Sequence, residues 1–327
     1  KEVCAEMAQD PLTLIFQILV FPGAAFLILL AFLTEWVDRK VVARIQSRYG
    51  PLYTGPSGVL QPIVDFLKLL SKEDITPEWA DRPVFTLAPI LFFAFSLTAL
   101  FLIPIASENA LAGFEGDLIL LMFILTLLIV TVFLAGYCSE SPFSLIGGVR
   151  AALQMIGYEI PMALALVGPA LASGTLSISG IVKWQSLNGI WLIALQPLGF
   201  GILLICMLAE LEFVPFDIPE AETEIVAGWM TEFSGRKLAL LRFGKNLKVL
   251  LASAIISSIY LGGAQQAGVV PPIIIFLIKT FLVIVLLSFL RAVFARLRID
   301  QMVSGMWKYL VPLAVLQIIL VSISLGG

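Results

Sequence analysis

The chain has 327 residues, 60% of them apolar and 13% charged, with a mean hydropathy of +1.02 and a formal net charge of −3. That length would suit two soluble domains, but the composition makes lipid the main solvent, and the slight negative charge argues against nucleic acid or a polybasic surface anchor. Histidine is absent and Cys4, Cys138 and Cys206 stand singly, which excludes a histidine-ligated haem or zinc site, a histidine triad and an iron–sulfur cluster held by this chain alone.

Eight apolar stretches, near 12–33, 84–107, 118–138, 151–172, 190–210, 238–261, 270–290 and 309–325, are each long enough to cross a hydrocarbon core of about 30 Å. The pattern predicts a single all-α, polytopic integral membrane domain over 1–327. The first stretch lacks a basic leader and a small-residue cleavage site, so it reads as a crossing and not a signal peptide. Lys1, where a Met would mark the native start, leaves that start open.

The first crossing leads into a long loop, 34–82. Within it, GVLQPIVDFLKLLSKEDITP places Val59, Ile63, Phe66, Leu67 and Leu70 on one side and Gln61, Asp65, Lys68 and Lys72 on the other. This predicts a short amphipathic helix at the membrane interface, with Trp79 as an anchor and the glycines and prolines of YGPLYTGPSG as a turn-rich lead-in. The fourth crossing contains Gln154, Tyr158 and Glu159 and is expected to be interrupted near Glu159 and Pro161. A carboxylate at Glu159 is expensive in lipid and therefore a functional candidate.

The fifth crossing runs into LAELEFVPFDIPEAETEIVAGWMTE, Leu208 to Glu232, within an acidic loop taken as 208–237. It carries Glu210, Glu212, Asp217, Glu220, Glu222, Glu224 and Glu232. Seven carboxylates so close together cannot all be ionised and buried without partners, because desolvation and like charge favour the protonated form. A hydrated chamber accommodates them. Pro215 and Pro219 interrupt helix there, exposing backbone that a cavity tolerates and lipid does not. A solvated acidic loop without chemistry remains the alternative on composition alone.

In the sixth crossing Arg242, Lys245 and Lys248 recur every three residues. Residues three apart share a helix face, so this stripe is expected to pair with the acidic set or carry protons; snorkelling to headgroups is the other reading. Lys279, isolated in the seventh crossing, is expected to find an internal partner.

Loop charge sets the topology. The alternate segments 34–82, 139–150, 211–237 and 291–308 hold fourteen Lys and Arg residues, against two, Lys1 and Lys183, in the termini and the other loops. The positive-inside rule makes the basic loops cytoplasmic and both termini external, in an inner or plasma membrane.

Several separated motifs, DRKVVARIQSRYGP at 38–51, GVLQPIVDFLKLLSKE at 58–73, SLIGGVRAALQMIGYE at 144–159, PFDIPEAETEIVAGWMTEFSG at 215–235 and DQMVSGMWKYLVP at 300–312, occur in an order that resembles the H-subunit family of respiratory complex I, the mitochondrial NADH dehydrogenase subunit 1 type. The resemblance implies an eight-helix heel subunit that lines a quinone-type cavity and begins an acidic ion path. It implies no catalytic residue, metal or cofactor in this chain. Electrons would travel in peripheral partners: a proximal iron–sulfur cluster subunit and a large hydrogenase-like subunit, the latter with nickel–iron in hydrogenase members. Small membrane subunits, antiporter-like subunits and lipid would be the remaining neighbours.

By matching motif, Arg39, Arg44 and Arg48 would shape the loop beneath the cavity, with Arg150 and Asp300 at the cavity and its interface. Glu159 would lie on the intramembrane path, Asp217, Glu220, Glu222 and Glu224 in the acidic funnel, and Glu232 at its later edge, with Glu140 as a companion. Glu210, Glu212, Lys245 and Lys248 complete the expected coupling set. Asp38 stands where the family has a glutamate and Gly157 where it has a serine. GRKLALLRFGKNLKVLLAS resembles the archaeal hydrogenase and sulfur-reductase branch, whereas YGPLYTGPSGVLQP is closer to complex I. A sulfur-reductase or hydrogenase type reconciles these features; a quinone-reducing H subunit of complex I, an independent ion transporter with proton or sodium as cargo, and a purely structural anchor are the competing readings.

Overall fold

The computed structural model describes residues 11–266 and 270–326. Lys1, Cys4 and the end of the loop 262–269 lie outside them. All regular structure among the described residues is helical.

The first expected crossing is two helices, α1 (Pro11–Leu19) and α2 (Ala24–Ile45), joined by a bend at 20–23. Because WVDRKVVARI contains no glycine or proline, α2 continues twelve residues into the expected loop. Asp38, Arg39 and Arg44 thus sit on a helix. The amphipathic helix is α3 (Gln61–Leu70), which buries Pro62 and Leu69 and packs Ile63 and Phe66 against the core. Leu67, expected on the same side, is exposed with Val64 and Leu60: an apolar stripe faces outwards as well as inwards. Trp79 is exposed beyond it.

Next come α4 (Arg82–Phe101), α5 (Asp117–Cys138) and α6 (Pro142–Ser173). The expected interruption of α6 does not occur, although Pro161 and Pro169 lie inside it. Pro169 removes the donor that would bond the Ala165 carbonyl, and the Tyr260 hydroxyl from a distant helix donates to that carbonyl at 2.7 Å. Tyr260→Phe is therefore expected to cost about 1–3 kcal/mol by leaving a buried acceptor unpaired, read as a lowered thermal midpoint. An unchanged midpoint would show that α6 tolerates the loss. Gly157 has its own local reason, since a Cβ there would lie 3.2 Å from Met302 Sδ.

Two short outward helices, α7 (Ile178–Asn188) and α8 (Leu192–Leu195), precede α9 (Pro197–Glu210). The acidic loop then contains only α10 (Glu222–Ile225) and a 3₁₀ turn at Gly228–Met230. The central rod is α11 (Gly235–Tyr260), packed against α2, α3, α4 and α12 (Pro272–Val293). The last rod joins α13 (Ile299–Gly305) through a π-helical turn at Met306–Leu310 to α14 (Val311–Gly326), beginning ten residues before the expected crossing.

Among the described residues six helices are long and apolar enough to cross a membrane: Ile15–Ile45, Arg82–Phe101, Asp117–Cys138, Pro142–Ser173, Pro272–Val293 and Ile299–Ile323. The expected count of eight is thus met by six on length and composition. With 14 residues, α9 spans about 21 Å, short of a hydrocarbon core of about 30 Å. Length suffices in α11, but Arg236, Lys237, Arg242, Lys245 and Lys248 lie between its start and its middle turn. Outward faces such as Ile119 and Phe123 on α5, or Ile278, Leu282 and Phe289 on α12, are apolar and exposed, as a lipid-facing chain requires.

Candidate functional site

The charged half of α11 is accommodated by a cavity of about 560 Å³ at the end of the bundle where α2 and α9 stop and α4 begins. Its floor is an ion pair inside the bundle. Lys248 Nζ lies 2.9 Å from Glu210 Oε1 and donates to the Glu210 carbonyl at 2.7 Å; both residues are buried. One ammonium therefore answers both a carboxylate and the last carbonyl of α9, at the negative end of that helix. The Tyr158 hydroxyl donates to the other Glu210 oxygen. One residue along α6, Glu159 is half-buried and accepts from Thr126 Oγ1 at 2.6 Å.

Above this floor the chain turns sharply, with Glu212 at φ 55° and Pro215 and Pro219 preventing helix. Lys245 gathers the turn. Its ammonium is 3.3 Å from Glu212, pairs with Glu220 and lies 5.4 Å from the Trp229 ring centroid. Trp229 Nε1 donates to Glu212 at 3.4 Å. Gly147 lets this seat form: a Cβ there would be 2.4 Å from the Trp229 backbone nitrogen.

On its outer side the acidic loop is held by Glu224, 2.6 Å from Arg150 and 3.7 Å from Arg296. The hydrogen bond from Arg150, aided by Arg296, holds the Glu224 carboxyl below the usual glutamate value. Burial raises Asp217 above the ordinary aspartate value despite Arg296 and Lys245. Folding disfavours its ionised form, so the stability linked to Asp217 is full below 3.8 and lost as pH rises through the folded-state value. Asp217→Asn is accordingly expected to raise the thermal midpoint at neutral pH, with a gain that shrinks in acid; a gain independent of pH would contradict this.

The opposite wall comes from α2 and α3. Arg39 lies 2.5 Å from Glu35 and 2.7 Å from Asp65, and Asn246 of α11 donates to Glu35. Asp38 accepts from Ser288 at 2.6 Å and Arg291 at 2.8 Å, and the Arg291 guanidinium lies 4.2 Å from the Phe213 ring centroid.

Of the residues singled out in the sequence, Arg39, Glu212, Asp217, Glu220, Glu222, Arg242, Lys245 and Lys248 line the cavity, with Glu222 exposed at its rim. Glu210 and Arg150 touch residues of that set or its loop, and Glu159 neighbours Tyr158. The remainder lie elsewhere. Arg44 and Arg48 are exposed at and beyond the end of α2, and Arg48 bonds Gln46 at 2.8 Å; they miss the cavity because α2 carries them past it. Asp300 is exposed in the first turn of α13, Glu140 is exposed in the turn before α6, and Glu232 is half-buried outside the lining. Lys279 does have internal partners, the Gly263 carbonyl at 3.1 Å and Gln265 at 3.4 Å.

Sequence reasoning missed Glu35, Asp38, Asp65, Asn246 and Arg291 as wall residues. The first two had a signal: Glu35, Asp38 and Arg39 fall at i, i+3 and i+4, one face of a helix. Chemically, the site is a polar chamber whose carboxylates and ammonium groups can exchange protons and hold a polar head, with an aromatic flank at Phe32, Phe66 and Phe243.

A sequence profile for the family described as NADH dehydrogenase matches residues 17–322. The chain is similar to the NADH-quinone oxidoreductase H subunit of Dehalococcoides mccartyi strain 195, being 37% identical over 307 residues that cover 94% of this chain and 85% of the relative. The same figures hold for the protein of that name in strain CBDB1.

Proposed function

Because the chain belongs to the NADH dehydrogenase family, as the H subunit of a complex I-type membrane oxidoreductase, we propose that it couples electron transfer in its partners to proton movement across the membrane. The cavity takes the polar head of a quinone. The observation that carries the coupling is a pair of acid–base clusters, one lining the chamber and one buried three residues further along α11: Glu220 and Glu212 on Lys245, and Glu210 on Lys248 and Tyr158. Buried ion pairs of this kind add little stability over apolar side chains of equal size, so a role in charge movement is the better reason for them.

Quinone is favoured over sulfur compounds or protons as electron acceptor because both Dehalococcoides relatives carry quinone in their names. A hydrogenase or sulfur-reductase type draws support from the segment GRKLALLRFGKNLKVLLAS, together with DRK at 38–40 and DFLKLLSKE at 65–73, and a nickel-bearing large subunit in the intact complex would establish it. Iron–sulfur clusters are assigned to peripheral partners, and small membrane and antiporter-like subunits to the lateral neighbours. The chamber opens on the cytoplasmic side and both termini are external, on the strength of the basic loops.

Glu222→Gln in the assembled, reconstituted complex tests the reading. Ion flux per electron is expected to fall while assembly is retained. An unchanged ratio would leave the chain a structural anchor, and transport by the isolated chain would make it an independent transporter.

A further inference from the structure

The end of the bundle away from the chamber holds a cation that no carboxylate answers among the described residues. Lys279 lies twelve residues, about 18 Å, before Arg291, which lines the chamber. Its ammonium donates to the Gly263 carbonyl at 3.1 Å and to Gln265 Oε1 at 3.4 Å, and it lies 5.1 Å from the Trp191 ring centroid. All three partners are neutral. The lysines of α11 differ in this, since Lys237, Lys245 and Lys248 each have a carboxylate. An ammonium has three hydrogens, so two oxygen acceptors leave one donor over, along with the charge.

The side chain is also held in place. Gln265 Oε1 accepts from Trp191 Nε1 at 3.1 Å as well as from Lys279, and the Gly263 N–H donates to the Ser257 carbonyl at 2.8 Å. The turn after α11 and the segment before α8 therefore fix the ammonium from two sides. A cation fixed at membrane depth without a counter-charge is costly, and it is preorganised for an anion.

We infer that the phosphate of an anionic phospholipid completes this site. Trp191 is 48% exposed, and Leu195 beside it and Ile274 and Ile278 on α12 are exposed too. Such a surface suits acyl chains and gives a free aqueous anion no hold, while an exposed tryptophan suits the polar boundary of a bilayer. A phosphate oxygen accepts the remaining ammonium hydrogen in a charge-assisted bond, and the chains lie along Ile274 and Ile278. A zwitterionic lipid brings its own cation and gains less from Lys279. The bound lipid ties the segment before α8 to α12, and nothing in this depends on ion coupling.

The assembled complex in nanodiscs of phosphatidylcholine and phosphatidylglycerol supplies the test. A high-resolution structure is expected to show lipid density with its phosphate within about 4 Å of Lys279 Nζ. Lys279→Gln keeps a donor for the Gly263 carbonyl and removes the charge. It is expected to bind phosphatidylglycerol about tenfold less tightly than the parent, the equivalent of one lost hydrogen bond to a charged group, with phosphatidylcholine unchanged, whereas Lys279→Arg retains tight binding. Lipid retained per complex, counted by native mass spectrometry, reads both. Equal retention of phosphatidylglycerol by Lys279→Gln and the parent overturns the inference. So does a carboxylate of a neighbouring subunit at the ammonium in the wild-type structure, or inorganic phosphate there without acyl density. That structure decides the matter even where Lys279→Gln fails to assemble.

Discussion

Lys248→Met is expected to destabilise the complex by about 3–5 kcal/mol, because it strands the Glu210 carboxylate inside the bundle. Lys248 is 4% exposed and Glu210 2%, so solvent cannot replace the ammonium. Methionine fills the volume of the lysine stem, which confines the loss to charge. The thermal inactivation midpoint of the purified complex checks the size. Adding Glu210→Gln should recover most of it, since a neutral amide can still accept from Tyr158. If the double variant is no more stable than Lys248→Met, the pair is not what holds α9 to α11.

A loss of similar size is expected for Lys245→Met, with a different pattern of rescue. Lys245 serves two carboxylates, the buried Glu212 and the half-buried Glu220. Removing it leaves two like charges at one site, which favours protonation of one of them. Glu212→Gln in the Lys245→Met background should recover only part of the loss, because Glu220 still lacks its cation. Equal rescue in the two backgrounds would show that Glu220 gains nothing from Lys245. The flank of the acidic loop held by Arg150 and Arg296 is expected to be insensitive to either change, as Glu224 is exposed and such pairs contribute little.

The spacing of Arg242, Lys245 and Lys248 was enough to foresee one charged helix face, and two of the three pair with the acidic segment as that spacing suggested. Glu159 was legible for a related reason, the cost of a carboxylate among apolar residues. The far wall was not, because its pairs join distant stretches of chain. Arg39 meets Asp65 across 26 positions and Asp38 meets Arg291 across 253. Hydropathy also ends a crossing at its first charges, which put Glu35 and Asp38 in a loop when α2 in fact carries them to the cavity. Arg44, Arg48 and Asp300 stood out through motif resemblance, and a motif fixes neighbours in sequence without fixing what they face. The continuity of α6 through Pro161 and Pro169 depends in part on a hydroxyl from Tyr260, about ninety residues away, which no local pattern announces.

Coupling through the buried acid–base set is tested most directly by protons translocated per electron in reconstituted complex carrying Lys248→Met with Glu210→Gln. The double variant is neutral where the parent holds an ion pair, so stability and proton movement can be read separately. The expected result is an assembled complex whose ratio falls well below that of the parent. A parental ratio in that complex would contradict a coupling role for Lys248 and Glu210.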